Sequence, residues 1–229
     1  MILFQDREIK GVIFDMDGVI FDSERLYKES SLEVARLYGI KDVEHIVEQT
    51  IGVTYDVTRA IYLRECGEDF PYKQYMEEVS AGFNEKVKDG IPLKEGVKEI
   101  LVFFQEKGLP VMIASSTQTP KVRKQTEDAG IAPYFKDMIG GEQCEKSKPN
   151  PDIFLKAMEQ LGLLPENCMI IEDSFNGVCA AHASKALTVM IPDLKEPTEE
   201  IRALTDCVCP SLSALKEKLE KNTPDHQKG

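Results

Sequence analysis

FDMDGVIFDSE, residues 14–24, sets two aspartates two positions apart at the end of an apolar run, with a glycine directly after them. Two like charges this close repel one another, so the pair calls for a third group to share their charge. The run that precedes them, IKGVIF (9–14), is short and apolar without alternation, the pattern of a strand buried on both faces of a parallel sheet. Four more runs of this kind follow: PVMIAS (110–115), DMIGG (137–141), CMIIED (168–173) and ALTVMIP (186–192).

Helical stretches lie between the later strands. Thr119 with Pro120 is expected to open one helix and Gly130 to close it; Asn150 with Pro151 opens another, closed by Gly162. Strands alternating with such helices predict an α/β fold, a Rossmann-like doubly wound parallel sheet. Between the first and second strands, however, no convincing strand occurs. Residues 24–38, 54–66 and 71–88 are amphipathic instead, and Leu26, Ser30, Val34 and Leu37 are predicted to form one buried stripe. The segment is too long for a crossover, so it predicts an inserted all-helical domain over 22–90, leaving a core of 1–21 and 91–229. The terminal EKNTPDHQKG is predicted to be a frayed tail.

Composition narrows the functional classes. With 229 residues, 42% of them hydrophobic, the chain can bury one large core or two modest ones. A net charge of −12 argues against a nucleic-acid partner, because that binding relies on Lys and Arg neutralising phosphates. Polar residues follow Met1 closely, and no apolar run approaches the roughly 18 residues of a membrane helix. The expected location is therefore the cytoplasm, with no membrane partner. The six cysteines form no C-x-x-C pair. Cys207 and Cys209, with only His45, His182 and His226 elsewhere, read as two thiols in a short strand rather than half a metal site.

In an open parallel sheet, ligands bind outside the carboxyl ends of the strands. Asp15 and Asp17 follow the first strand; Ser115, Ser116 and Thr117 the second; Lys146 and Lys148 the third; Glu172, Asp173 and Ser174 the fourth. Four carboxylates on one edge call for a cation, and an all-oxygen ligand set suits Mg²⁺ beside a substrate phosphate. One carboxylate can attack phosphorus, and the other can protonate the leaving oxygen and later activate water. Lys148 and Ser115 would then hold the transferring phosphoryl group.

FDMDGVIFDSE, VMIASST, EKSKPNPDIF and MIIEDSFNGVCAA resemble, in order, the four motifs of the haloacid dehalogenase superfamily, with a helical cap inserted after the first. The resemblance covers most of residues 8–192 and is nearest to the β-phosphoglucomutase and sugar-phosphate phosphatase branch. It implies Asp15 as nucleophile, Asp17 as general acid and base, Ser115 and Lys148 as phosphate ligands, and Mg²⁺ held by Asp15, Asp17 through its carbonyl, and Asp173, with Glu172 assisting. Ser116, Tyr27, Thr54 and Tyr55 are the expected substrate-binding residues. Similarity to the mutases weakens in the cap loop IGVTYDVTR (51–59), where Tyr55 stands in place of the arginine that grips a second phosphate, and at Tyr27, where the mutases carry histidine. Arg25 and Arg59 are the cations that could compensate. The expected activity is thus phosphatase action on a small phosphorylated metabolite, a sugar phosphate, by a monomer or weak homodimer, with a hexose phosphate mutase as the alternative. Ser147 replaces the family's usual glycine before the lysine, and Ser184 with Lys185 replaces an alanine and a glycine.

Overall fold

The computed structural model describes residues 2–51, 53 and 55–222. Thr54 and residues 223–229 of the expected tail, with His226, lie outside these. Along the chain come β1 (Ile2–Phe4), β2 (Arg7–Ile9), β3 (Gly11–Phe14), α1 (Ser23–Leu37), α2 (Val43–Thr50), α3 (Tyr55–Cys66), α4 (Tyr72–Lys86), α5 (Val97–Glu106), β4 (Val111–Ser115), α6 (Thr119–Asp128), β5 (Asp137–Gly140), α7 (Asp152–Leu161), β6 (Cys168–Glu172), α8 (Phe175–Ala183), β7 (Leu187–Met190), α9 (Glu199–Arg202), β8 (Cys207–Val208) and α10 (Leu212–Asn222).

The apolar runs pair in parallel, in the order β5-β4-β3-β6-β7-β8. This is the expected Rossmann-like sheet. β3 lies between β4 and β6, with Phe14 opposite Ile113 on one side and Ile171 on the other. The chain order reverses at β3, so a crevice forms beyond its carboxyl end. One face of the sheet is sealed by Ile13, Met112, Ala114, Ile139 and Ile170 packed against Phe154, Ala157 and Met158 of α7 and Ala180 and Ala181 of α8. Burying these side chains contributes roughly 1.5–3 kcal/mol for each large one, before chain entropy is set against it.

The chain falls into two compact units, the residues up to Phe21 with those from Pro92 onward, and Asp22–Ile91. The second unit is α1–α4, closed around Val34, Ala35, Ile46, Val47, Tyr62, Tyr75 and Val79. Its core carries phenols. The Tyr75 hydroxyl lies 2.9 Å from both the Ser31 and Tyr62 hydroxyls, which satisfies polar groups that would otherwise be costly to bury. The predicted stripe on α1 needs correction at its end, since Leu37 is 82% exposed and the helix buries Ser30, Ser31, Val34 and Ala35. Small residues set that face. Ser30 Oγ donates to the Val79 carbonyl at 2.7 Å, and a Cβ on Gly82 of α4 would lie 2.5 Å from it.

Helix α6 opens at Thr119 as expected, though its cap lies one residue earlier, and the expected start of α7 shifts by one. α6 is capped at Gln118, because the Thr119 hydroxyl instead accepts from Gly140 N–H and Gln143 Nε2. α7 begins after Pro151, while Asn150 Nδ2 donates to the Ser147 carbonyl. The predicted fraying from Glu220 is also corrected, because Glu220–Asn222 complete α10, whose Leu212, Leu215 and Leu219 are buried.

Lys185 has φ +69°, a left-handed conformation that glycine adopts freely and lysine does not. Lys185→Gly is expected to stabilise the protein by about 0.5–1 kcal/mol, the left-handed penalty less the added flexibility of the unfolded chain. Chemical denaturation would check this, and an unchanged or lowered midpoint would count against it.

Candidate active site

Asp15 is the first residue beyond β3. Its N–H donates to the Ile171 carbonyl at 2.9 Å, which ties it to β6 and leaves the carboxylate at the strand end, only 7% exposed. Lys148 supplies the countercharge. Its Nζ lies 2.5 Å from Asp15 Oδ1 and 2.6 Å from Glu172 Oε1, and 4.8 Å above the Phe154 ring. One ammonium thus serves two buried carboxylates. Burial pushes the Asp15 carboxyl up to about 7, with Lys148 opposing the shift and Glu172 and Asp17 adding to it. Burial also disfavours the Lys148 ammonium, but Asp15 and Glu172 outweigh that and hold it above its ordinary value.

Glu172, the last residue of β6, is fully buried and fully engaged. Its Oε1 takes Lys148, and its Oε2 accepts from Asp173 N–H (2.9 Å), Ser174 N–H (3.0 Å) and Ser174 Oγ (3.0 Å). Ser174 also caps α8, accepting from Gly177 N–H. Two glycines create the room: a Cβ on Gly177 would lie 1.7 Å from Glu172 Oε1, and one on Gly18, at φ +80°, would lie 2.3 Å from Asp173 Oδ2.

Asp17 turns to a different partner, accepting from Thr117 Oγ1 at 2.9 Å. Ser115, at the end of β4, is 1% exposed, and its Oγ accepts from Thr117 N–H. Its hydroxyl hydrogen is not used in that bond. Ser116 is exposed in the loop that follows. The structure thus gathers Asp15, Asp17, Ser115, Lys148, Glu172 and Asp173 at the carboxyl ends of neighbouring strands. Thr117, one of the hydroxyls expected after the second strand of the site, joins them, as do Gly18, Phe154 and Gly177, which lie within the four quoted motifs.

Asp15, Glu172 and Asp173 each offer a carboxylate oxygen, all within 4.8 Å of one another. A hard divalent cation suits this set: the donors are all oxygens, and Lys148 alone leaves the buried carboxylates with excess negative charge.

Tyr27 and Tyr55 belong to the second unit. Tyr27 packs edge-on against Phe83, and Tyr55, 57% exposed at the start of α3, stands 5.6 Å from the Tyr72 ring. Tyr55, Arg59, Phe70 and Tyr72 line a cleft of about 490 Å³.

A doubly wound α/β unit with carboxylates and a buried lysine at its switch point defines the class, a Rossmann-like fold with an acidic, cation-ready site. The particular family follows from residues 12–191, which match the model for haloacid dehalogenase-like hydrolases, and the chain belongs to that family. It is 33% identical over 181 residues to a phosphorylated carbohydrates phosphatase from Thermotoga maritima, covering 77% of this chain and 82% of that one. Hexitol phosphatase B of Escherichia coli K12 is 29% identical over 212 residues, covering 91% and 95%. A haloacid dehalogenase family hydrolase from Deinococcus radiodurans R1, solved with bound phosphate and sodium, superposes with a TM-score of 0.79 at 26% identity, covering 95% and 97%. Solved β-phosphoglucomutases share the fold as well. The chain is accordingly an enzyme, a phosphoric monoester hydrolase.

Gly177→Ala should displace the Glu172 carboxyl. The expected result is a loss of about 1–3 kcal/mol in thermal stability with most of the hydrolase activity. A variant that keeps both would show that the crowding is relieved elsewhere.

Proposed function

We propose that this protein is a Mg²⁺-dependent phosphatase that hydrolyses a small phosphorylated sugar or sugar alcohol through an aspartyl phosphate. The observation that carries the reading is the shared buried Lys148, which holds Asp15 and Glu172 together at the end of β3 with Asp17 held apart by Thr117. The names of the two phosphatases support the substrate class.

In this reading Asp15 attacks phosphorus, and Lys148 with the Ser115 hydroxyl binds the phosphoryl oxygens as charge accumulates on them. Asp17, oriented by Thr117, protonates the leaving oxygen and then takes a proton from the water that cleaves the acyl phosphate. Asp15, the Asp17 carbonyl and Asp173 would hold Mg²⁺, with Glu172 fixing Lys148 and Ser174 behind them. The ion, when bound, would supply charge neutralisation that keeps Asp15 ionised and lets a phosphate dianion approach. Ser116, Tyr27, Thr54 and Tyr55 complete the proposed substrate contacts, and a monomer or weak homodimer in the cytoplasm is the proposed working form. Among the described residues, no helix is long and apolar enough to cross a membrane.

The mutase alternative is not favoured. Tyr55 carries no charge for a second phosphate, and Arg25 is already bonded to Asp22 and Glu29, at 2.6 Å each.

Phosphate release from a panel of sugar, polyol and nucleotide monophosphates tests the reading. Release should require Mg²⁺, stop with chelator, vanish in Asp15→Asn and fall about 10²–10⁴-fold in Asp17→Asn. Undiminished release by Asp15→Asn would sink it. So would interconversion of hexose phosphates without net release.

Thr117→Val tests the positioning of Asp17 separately. It should lower kcat by about tenfold with KM little changed, because one hydrogen bond to the acid is lost. An unchanged kcat would show that Asp17 needs no such guide.

A further inference from the structure

Two cysteines stand together at the opposite margin of the sheet from β5. β8 is the last strand in the order, and Cys207 and Cys209 lie two positions apart, a spacing that sends both side chains to one face. Their sulfurs are 3.5 Å apart, and Lys218 Nζ of α10 donates to Cys207 Sγ at 3.5 Å. Cys207 is partly exposed, whereas Cys209 is buried directly behind it.

The surroundings polarise the pair. A hydrogen bond from the Cys209 thiol, with Lys218 beside it, draws the Cys207 thiol down to about 6 against the opposing effects of burial and Asp206. That same bond and burial push Cys209 up. Asp206 is itself engaged, its carboxylate accepting from Thr188 N–H at 2.7 Å. The contrast lies within the same chain: burial pushes the thiols of Cys66, Cys144 and Cys168 up. A nucleophilic thiolate next to a lysine, with a second thiol in reach, is the arrangement from which thiol–disulfide exchange proceeds.

A metal reading fits less well. Among the described residues, the one cluster of three or more metal-ligating side chains is Asp15, Glu172 and Asp173, so the cysteines lack the further ligands of a tetrahedral zinc site.

The geometry points to a redox-active dithiol, with Cys207 as the attacking thiolate and Cys209 as the resolving thiol, that exchanges with small-molecule disulfides. Cys207 Sγ attacks one sulfur of RSSR. The S–S bond breaks, and one RS⁻ departs and takes up the proton that Cys207 released. Cys209 then loses its proton and attacks Cys207 Sγ; the mixed disulfide breaks and the second RS⁻ leaves with that proton. Two protein thiols are oxidised to one disulfide, and RSSR is reduced to two RSH. Closing the bond needs the sulfurs to approach from 3.5 Å to about 2.05 Å.

Titration of the full chain with glutathione disulfide tests the proposal, because its readouts do not involve phosphatase activity. Of the six thiols four should remain, the intact mass should fall by two hydrogens, and peptide mapping should place the link between Cys207 and Cys209. Cys209→Ser should instead retain a mixed disulfide on Cys207. At pH 7, Cys207 should alkylate about tenfold or more faster than Cys66, with Lys218→Met slowing it about threefold and Lys218→Arg restoring it. The proposal is overturned if all six thiols survive, if the parent keeps a stable mixed disulfide on Cys207, or if Cys207 alkylates no faster than Cys66.

Discussion

Asp15 is a carboxylate removed from water at the end of a fully buried strand, and it shares its one lysine with Glu172. Taking an isolated charge out of water costs several kcal/mol, and an ion pair offsets this only when the remaining hydrogen-bonding positions are also filled. Glu172 meets that condition and Asp15 does not. The first unit is arranged around this inequality. The parallel sheet brings β3 and β6 side by side so that both acids reach Lys148, Phe154 walls one side of the ammonium, and Gly18 and Gly177 remove the side chains that would otherwise occupy the carboxylates' space.

Residues of one chemical type thereby come to do different work. Glu172 has four donors on its two oxygens and is held as an anchor, whereas Asp15, with a single ammonium and a raised pKa, retains capacity for a further cation or an electrophile. Asp17 is only two residues away, yet its bond from Thr117 sets its carboxylate to a separate task. Environment rather than residue identity distinguishes the three carboxylates, as pairs of titratable groups in active sites commonly show.

The buried strands and the acidic edge were legible because each depends on local pattern: unalternating apolar runs, and charges placed directly after them. What escaped notice depends on tertiary context. The β1–β2 hairpin turns on Gln5 and Asp6 at φ +47° and +60°, without the glycine that usually marks such a turn. α10 buries Leu212, Leu215 and Leu219 on one stripe, but its polar remainder resembles a tail. The start of α7 falls beyond Asn150, whose side chain finds its partner outside the helix. In the site, the motifs contain Thr117 and Phe154 but do not display their contacts, one across 100 residues of chain and the other from a neighbouring helix.

The same charge accounting bears on the choice between hydrolysis and mutation of a phosphate ester. One phosphate dianion adds to the charge of Asp15, Glu172 and Asp173, which Lys148 alone does not balance, so even a monophosphate calls for a further cation at the first unit. A bisphosphate brings a second dianion and needs a second fixed cation. In the helical unit Arg25 is paired with Asp22 and Glu29, and Tyr55 offers a phenol where a guanidinium is required. A hydroxyl can donate one hydrogen bond, whereas a guanidinium fork donates two and carries the charge with them. Arg59 is the remaining candidate of the two arginines, and it lines a cleft of the helical unit with Tyr55, Phe70 and Tyr72, so any grip on a second phosphate there would rest on that single guanidinium.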